Sequence, residues 1–331
     1  MKLRRRARVR KARALPRAVP PPSKAEWIST LRCNLRCPHC CAGAGQRADG
    51  ELDTRDSLSL LRALSDFGVR QMCISGGEFT LRPDWEELLA CALARFPRTS
   101  LITNGSLGRR LIDAVDALRG PGELSIIVSL DGGREAHDAR RGAGSFDRAI
   151  EVLGACARRM VALTAVDRAS LGELERVAEI LLSVNVREWI IQPCLPFGRM
   201  AREGFVGEAG LKEIADFICR VQQRSGLGIR FGQSCWFGYA HPMRRDAPWR
   251  GCPAGVEQIL IAPDGGLRAC ALVPDWRFGD FRTRPLRDAW NGLEMDAIRR
   301  ARPSSCAACS RCPRGCEGMQ RLFGRQFCAL A

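Results

Sequence analysis

The stretch Cys33-Asn34-Leu35-Arg36-Cys37-Pro38-His39-Cys40 sets three cysteines at the spacing Cys-x3-Cys-x2-Cys, directly after the apolar run Trp27–Leu31. Three thiolates this close in sequence can hold three irons of a cubane [4Fe–4S] cluster and leave the fourth iron without a protein ligand. An open iron can bind and reduce a substrate-like cofactor, whereas a fully ligated cluster mainly passes electrons. A zinc site is the competing reading, but structural zinc usually takes four ligands in paired Cys-x2-Cys knuckles. A disulfide framework fits less well. Seventeen cysteines would suit a short secreted scaffold, yet the chain has 331 residues and no apolar signal segment near its start. The thiols are expected to stay reduced, in the cytoplasm.

Outward from this stretch, extended apolar runs alternate with helical periodicity as far as residue 195. Strands are expected at Trp27–Leu31, Gln71–Ser75, Ser100–Thr103, Leu124–Ser129, Met160–Val166 and Trp189–Gln192. Between them Leu60, Leu61, Leu64 and Phe67 recur at helical spacing and stop at Gly68. Trp85, Leu88, Leu89 and Ala92 do the same, as do Phe146, Ala149, Ile150 and Leu153, then Leu174, Val177, Ala178 and Leu181. Six such units predict parallel strands joined by right-handed crossovers. The expected fold class is α/β: a partial (β/α)6 TIM-like barrel, followed by a small cysteine-rich C-terminal domain.

In such barrels chemistry collects at the C-terminal ends of the strands. The motifs fall there: Cys33–Cys40 after strand 1, Ser75-Gly76-Gly77-Glu78 at strand 2, Thr103-Asn104-Gly105 at strand 3, Ser129-Leu130-Asp131-Gly132 at strand 4, and Gln192-Pro193 with Gly198-Arg199 after strand 6. The expected organisation is a basic disordered arm over 1–25, the barrel over 26–200, a linker with one helix over 201–250 and an iron–sulfur domain over 251–331.

Most of the net charge of +16 sits in the arm, where residues 1–24 hold ten Lys or Arg and no acid. It reads as a solvated extension; attraction to an acidic peptide, nucleic acid or an anionic surface is the alternative. Without interleaved aromatics it does not make a nucleic-acid module. Apolar content of 46% suffices for a core. No stretch approaches the ~20 apolar residues of a membrane span, so neither membrane nor nucleic acid is an expected partner.

Cysteines return near the C-terminus as Cys252-x12-Gly265-x4-Cys270, then Cys306-x2-Cys309-x2-Cys312-x3-Cys316 and Cys328. Ile259–Ala262 and Leu267–Ala271 flank Pro263-Asp264-Gly265-Gly266, a hairpin signal, and Leu286, Trp290, Leu293 and Ile298 follow at helical spacing. A zinc ribbon is the alternative for part of this module.

Cys33, Cys37 and Cys40, Gly76-Gly77-Glu78, and the stretch Ser129-Leu130-Asp131-Gly132 with His137-Asp138, Arg141-Gly142 and Ser145-Phe146 resemble the radical S-adenosylmethionine (SAM) enzymes. The strand-4 stretch resembles peptide-modifying members, and the C-terminal cysteines resemble the SPASM extension that holds auxiliary iron–sulfur clusters. The resemblance covers nearly everything after residue 25. It implies a [4Fe–4S] cluster on Cys33, Cys37 and Cys40 that cleaves SAM reductively to a 5′-deoxyadenosyl radical. It implies SAM contacts at Gly76, Gly77, Glu78, Asn104, Ser129 and Arg141, with Glu78 meeting the ammonium and Ser129 and Arg141 the carboxylate. His39 stands where the family often has an aromatic, and would pack on the adenine or the cluster.

By the same resemblance Cys306, Cys309, Cys312 and Cys328 serve one auxiliary cluster, and Cys252, Cys270 and Cys316 another, with Cys235 or a non-cysteine group as its fourth ligand. Two departures stand out: the middle gap of the dense motif has shrunk to two residues, and two all-cysteine cubanes require eight thiolates. Ala271, where sulfatase-maturating relatives carry a carboxylate, argues against that activity. The implied reaction is oxidative crosslinking or dehydrogenation of a ribosomally synthesised peptide. The alternative substrate is a small molecule: an aminocyclitol, a nucleoside sugar or a tetrapyrrole side chain. Expected partners are a precursor peptide or that small molecule, a reductant such as flavodoxin or ferredoxin, and a separate peptide-recognition protein, since no recognition domain fits within residues 1–25. A non-catalytic iron–sulfur electron carrier, the rival of another class, would have no use for Gly76-Gly77-Glu78.

Overall fold

The computed structural model describes residues 19–155, 159–232, 253–271, 273 and 275–301. Cys156, Cys235, Cys252, Cys306, Cys309, Cys312, Cys316 and Cys328 therefore lie outside the described residues. In chain order the elements are β1 (Lys24–Ile28), α1 (Thr54–Phe67), β2 (Gln71–Ser75), α2 (Trp85–Arg95), β3 (Arg98–Thr103), α3 (Arg109–Ala117), β4 (Glu123–Ser129), α4 (Arg134–Arg141), α5 (Ser145–Ala155) and β5 (Arg159–Val166). They continue with α6 (Leu174–Ser183), β6 (Glu188–Pro193), α7 (Gly207–Ser225), β7 (Gly228–Phe231), β8 (Gln258–Ile261), β9 (Gly266–Arg268), β10 (Arg277–Asp280), α8 (Leu286–Trp290) and α9 (Leu293–Ala301).

One sheet holds all ten strands, in the order β10-β9-β8-β1-β2-β3-β4-β5-β6-β7. β1 to β7 run parallel, each beside its successor. All six expected strands are present. β1 lies earlier than predicted because the chain leaves the sheet at Ser29, and Thr30 and Leu31 bond to Glu51 instead. β7 was not expected: it comes from the 201–250 segment and pairs with β6 from Glu188↔Gly228 to Ile191↔Phe231.

The helices pack as their periodicity requires. Asp53 caps α1 by accepting from the Asp56 N–H at 2.8 Å, and Gly68, at φ +109°, ends it in the left-handed region. Leu60, Leu61 and Leu64 between those caps are fully buried, each stabilising by ~2 kcal/mol.

The expected boundary at residue 250 does not interrupt the sheet. β8 pairs in parallel with β1 from Lys24↔Gln258 to Trp27↔Ile261, and β9 and β10 add as antiparallel strands beyond it. Residues 19–25 of the expected arm are bonded to the rest of the fold. The Val19 N–H donates to Asn291 Oδ1 at 2.8 Å, Trp290 Nε1 donates to Pro20 O at 2.9 Å, and Lys24 and Ala25 belong to β1. Among the described residues no helix is long and apolar enough to cross a membrane.

Candidate active site

Glu51 anchors the start of the cysteine loop. Its buried carboxylate accepts from Thr30 Oγ1 and from the Leu31 N–H, both at 2.7 Å, and from the Ala48 N–H at 2.8 Å. From the other side the loop after β2 supports the same backbone. The Gly77 N–H donates to Thr30 O at 2.7 Å and the Glu78 N–H to Arg32 O at 2.8 Å. Both glycines are required for that approach. Gly76 sits at φ +142°, and a Cβ there would stand 2.5 Å from Thr30 O; one on Gly77 would stand 2.3 Å from Arg32 O. The pair was expected to approach a ligand; its nearest neighbour is the backbone that presents Cys33.

Glu78 differs from expectation. Its carboxylate is fully buried and is not part of the cavity lining. Oε1 accepts from Thr80 Oγ1 at 2.7 Å and Thr103 Oγ1 at 3.0 Å, and Oε2 from the Asn104 N–H at 2.7 Å. Burial pushes its carboxyl up, against those hydrogen bonds. Through these bonds it clasps the end of β2 to the end of β3. Asn104, held by this clasp, turns its amide to the cysteine loop: Nδ2 lies 3.0 Å from Asn34 Oδ1 and 3.9 Å from Cys33 Sγ.

Asp131, at the end of β4, is the charged hub. It is fully buried, accepts from the Ala165 N–H at 2.9 Å through Oδ1, and receives Arg141 Nε at 2.6 Å on Oδ2. His39 Nε2 lies 3.2 Å and Arg140 Nε 3.8 Å from the same oxygen. Burial alone would raise the Asp131 carboxyl, but the Arg141 charge and hydrogen bond, with the Arg140 charge adding, hold it well below the carboxylate range. Burial lowers His39 to about 4, with Asp131 opposing and Arg141 reinforcing. The imidazole is therefore neutral at pH 7, with Nε2 facing Asp131. Its buried Nδ1 has no partner among the described residues. His39 thus braces the cysteine loop against β4.

Cys33, Cys37 and Cys40 line one cavity of 180 Å³ with Gly76, Gly77, Asn104, Ser129 and Arg141. All of the sequence-predicted site residues of the barrel except Glu78 thus meet in one place. Among the described residues no three Cys, His, Asp or Glu side chains converge as a single metal ion would need. Three thiols ringing a cavity fit a multi-iron cluster and not mononuclear zinc. Burial raises the Cys33 and Cys37 thiols, so ligation would displace their protons. The Leu35 N–H donates to Cys33 Sγ at 3.4 Å, a bond of the kind that tunes cluster potentials. Arg141 has Nε committed to Asp131, while its terminal nitrogens make no hydrogen bond among the described residues, leaving a fork suited to a carboxylate.

Cys194, just past β6, also lines this cavity. Of the predicted auxiliary ligands only Cys270 is described, half-buried against the core. Cys73 lines a 450 Å³ cavity at the opposite, N-terminal ends of the strands with Glu26, Ser100 and Ser125. Sequence reasoning missed Glu51 and the side chain of Arg199. Glu51 carries no local signal. The Gly198-Arg199 pair was noted only for its position.

Residues 27–172 match the Radical SAM superfamily, and residues 252–313 match an iron–sulfur cluster-binding domain, SPASM. Mycofactocin maturase MftC of Mycobacterium tuberculosis (strain ATCC 25618 / H37Rv) is 34% identical over 310 residues, covering 89% of this chain and 77% of that protein. The chain belongs to the radical SAM superfamily. Its enzymes of the SPASM type, this one included, use a [4Fe–4S] cluster with SAM and further iron–sulfur clusters in the C-terminal domain. Fe-coproporphyrin III synthase of Methanosarcina barkeri (strain Fusaro / DSM 804) is 26% identical, covering 87% of this chain and 79% of that one. Among solved structures, Streptococcus suis SuiB bound to precursor peptide SuiA superposes with a TM-score of 0.77 at 16% identity, over 94% of this chain and 75% of SuiB. The radical SAM fold is shared with SuiB, and the C-terminal ends of the parallel strands are where the family motifs of this chain assemble.

Proposed function

We propose that this radical SAM enzyme oxidatively modifies a ribosomally synthesised peptide, by crosslinking or dehydrogenation. The observation that carries the chemistry is the convergence of Cys33, Cys37, Cys40, Gly76, Gly77 and Arg141 on one cavity. The substrate class is supported by similarity to a mycofactocin maturase and to the PqqA peptide cyclase of Ruegeria pomeroyi, 28% identical over 314 residues. Cys33, Cys37 and Cys40 would hold the cluster, which would supply the electron for reductive cleavage of SAM. The protein's own residues do the rest. Arg141 takes the SAM carboxylate with its free fork, and Ser129 lies beside it on the cavity wall. Asp131 keeps that fork oriented, and Asn104 holds the cysteine loop through Asn34. Cys252, Cys306, Cys309, Cys312, Cys316 and Cys328, with Cys270, would hold the auxiliary clusters. A flavodoxin- or ferredoxin-type reductant and a separate peptide-recognition protein complete the proposed set of partners, in the cytoplasm.

A tetrapyrrole substrate is the second reading, favoured by the similarity to Fe-coproporphyrin III synthase. Anaerobic incubation with SAM and dithionite tests the shared chemistry: 5′-deoxyadenosine should form, and Cys37→Ala should abolish it. Release by that variant at the wild-type rate would refute the assignment of the cluster. Adding a candidate precursor peptide or an iron tetrapyrrole then separates the readings by which one changes mass.

A further inference from the structure

The loop after β6 reaches across the C-terminal ends of the parallel strands and takes hold of the cysteine loop. The Arg199 N–H donates to Cys40 O at 3.0 Å, Arg199 Nε donates to Cys37 O at 2.9 Å, and Nη1 donates to Ala44 O at 2.6 Å. Gly198 makes this approach possible. It sits at φ +61°, and a Cβ there would come within 2.4 Å of Cys40 O and 2.5 Å of Cys41 O. Two of the three gripped carbonyls belong to predicted cluster ligands. β1 and β6 are separated by four strands in the sheet, so the grip joins its opposite sides at the level of the thiols.

Arg199 also lines the cavity wall with Cys37 and Cys40, which sets a permanent positive charge on the wall of the cavity that the thiols face. Reduction of a cluster adds one negative charge, and a cation close by in a poorly hydrated site stabilises that state. We infer that Arg199 is a positioning residue for the cluster, fixing Cys37 and Cys40 by its grip and favouring the reduced state by its charge. The two roles come apart chemically. The planar guanidinium spans two carbonyls, whereas a lysine keeps the charge as a single point and cannot make the same fork.

This inference rests on the proposed cluster at Cys33, Cys37 and Cys40, and the test separates the two. The full chain and its Arg199→Gln and Arg199→Lys variants are reconstituted anaerobically. The potential of the SAM-responsive cubane is read by redox titration with electron paramagnetic resonance, and iron loss is timed in excess chelator. Arg199→Gln should lower the equilibrium constant for reduction about tenfold, or about 59 mV for one electron, and shed iron several-fold faster than wild type. Arg199→Lys should keep the wild-type potential and still shed iron faster. A Gln variant with the wild-type potential overturns the electrostatic role, and a Lys variant that holds iron as long as wild type overturns the grip. A wild-type protein whose cubane signal never responds to SAM refutes the cluster assignment itself, whatever Arg199 does.

Discussion

Asp131 concentrates more of the site's electrostatics than any other side chain, because one buried oxygen meets Arg141, His39 and Arg140. Replacing it by Asn leaves buried cations without their counter-charge, so Asp131→Asn should destabilise the cluster-free protein by about 3 kcal/mol, read from urea unfolding. Arg141→Met in the same chain should recover part of that loss; strictly additive effects would show that the pair does not interact. A neighbouring group sets a pH limit. His137 is buried, with Nδ1 accepting from the Asp131 N–H at 3.1 Å and its ring edge-on to Phe146. Burial and the Arg141 charge lower it to about 4, with Arg140 adding and Asp131 and Asp138 opposing. The unfolded residue titrates near 6.5, so the unfolded chain binds the proton first as pH falls. His137's contribution is therefore full above pH 6.5 and lost between there and about pH 4. His137→Gln should flatten the fall of stability across that window; an unchanged slope would place the acid sensitivity elsewhere.

The loops that end β1, β2 and β3 behave as a stack: the β2 loop bonds the backbone of the first, and the end of β3 holds the Glu78 side chain of the second. Gly77→Ala puts a methyl group 2.3 Å from Arg32 O, and backbone cannot yield as a flexible side chain would. That variant should lose about 1–3 kcal/mol through overpacking and reconstitute with less SAM-responsive iron. Normal iron uptake would mean that the stack is softer than its contacts indicate. How much of this was legible follows from local pattern. Strands β2 to β6 are apolar runs between turn signals, and the helices α1, α2, α5 and α6 carry long stripes, so both could be read directly. β7 is Gly-Ile-Arg-Phe, too short for alternation to register. α4 has five charged residues in eight and buries only His137, so nothing in its own pattern marks it; its place comes from Asp131 and Asp138. Thiols, glycines and Arg141 could be assigned from motif and strand position. The direction of Glu78 could not, because it depends on donors from β3, twenty-five residues away.

The reading of separate barrel and C-terminal modules followed composition, yet hydrogen bonding ignores that division. β8 covers the edge of β1 that β2 does not, and Trp290 packs edge-on to Phe67 of α1, with centroids 6.5 Å apart, and on Phe278 at 6.1 Å. A chain cut after residue 250 would expose the β1 edge, a row of unpaired backbone groups prone to aggregation. It would also uncover the side of Phe67 that Trp290 shields. Because β1 carries the cysteine loop at its end, the damage would be transmitted to the cluster although no cluster ligand of the barrel had been removed. The expected result is a truncated chain that is poorly soluble and whose Lys24–Ile28 amides exchange with solvent orders of magnitude faster than in the full-length protein. A milder variant, Ile259→Pro, acts on β8 by removing a ladder donor from a central strand, and should speed exchange at the same amides. If those amides stay protected in both variants, β1 holds without its C-terminal neighbour and the two modules are independent after all.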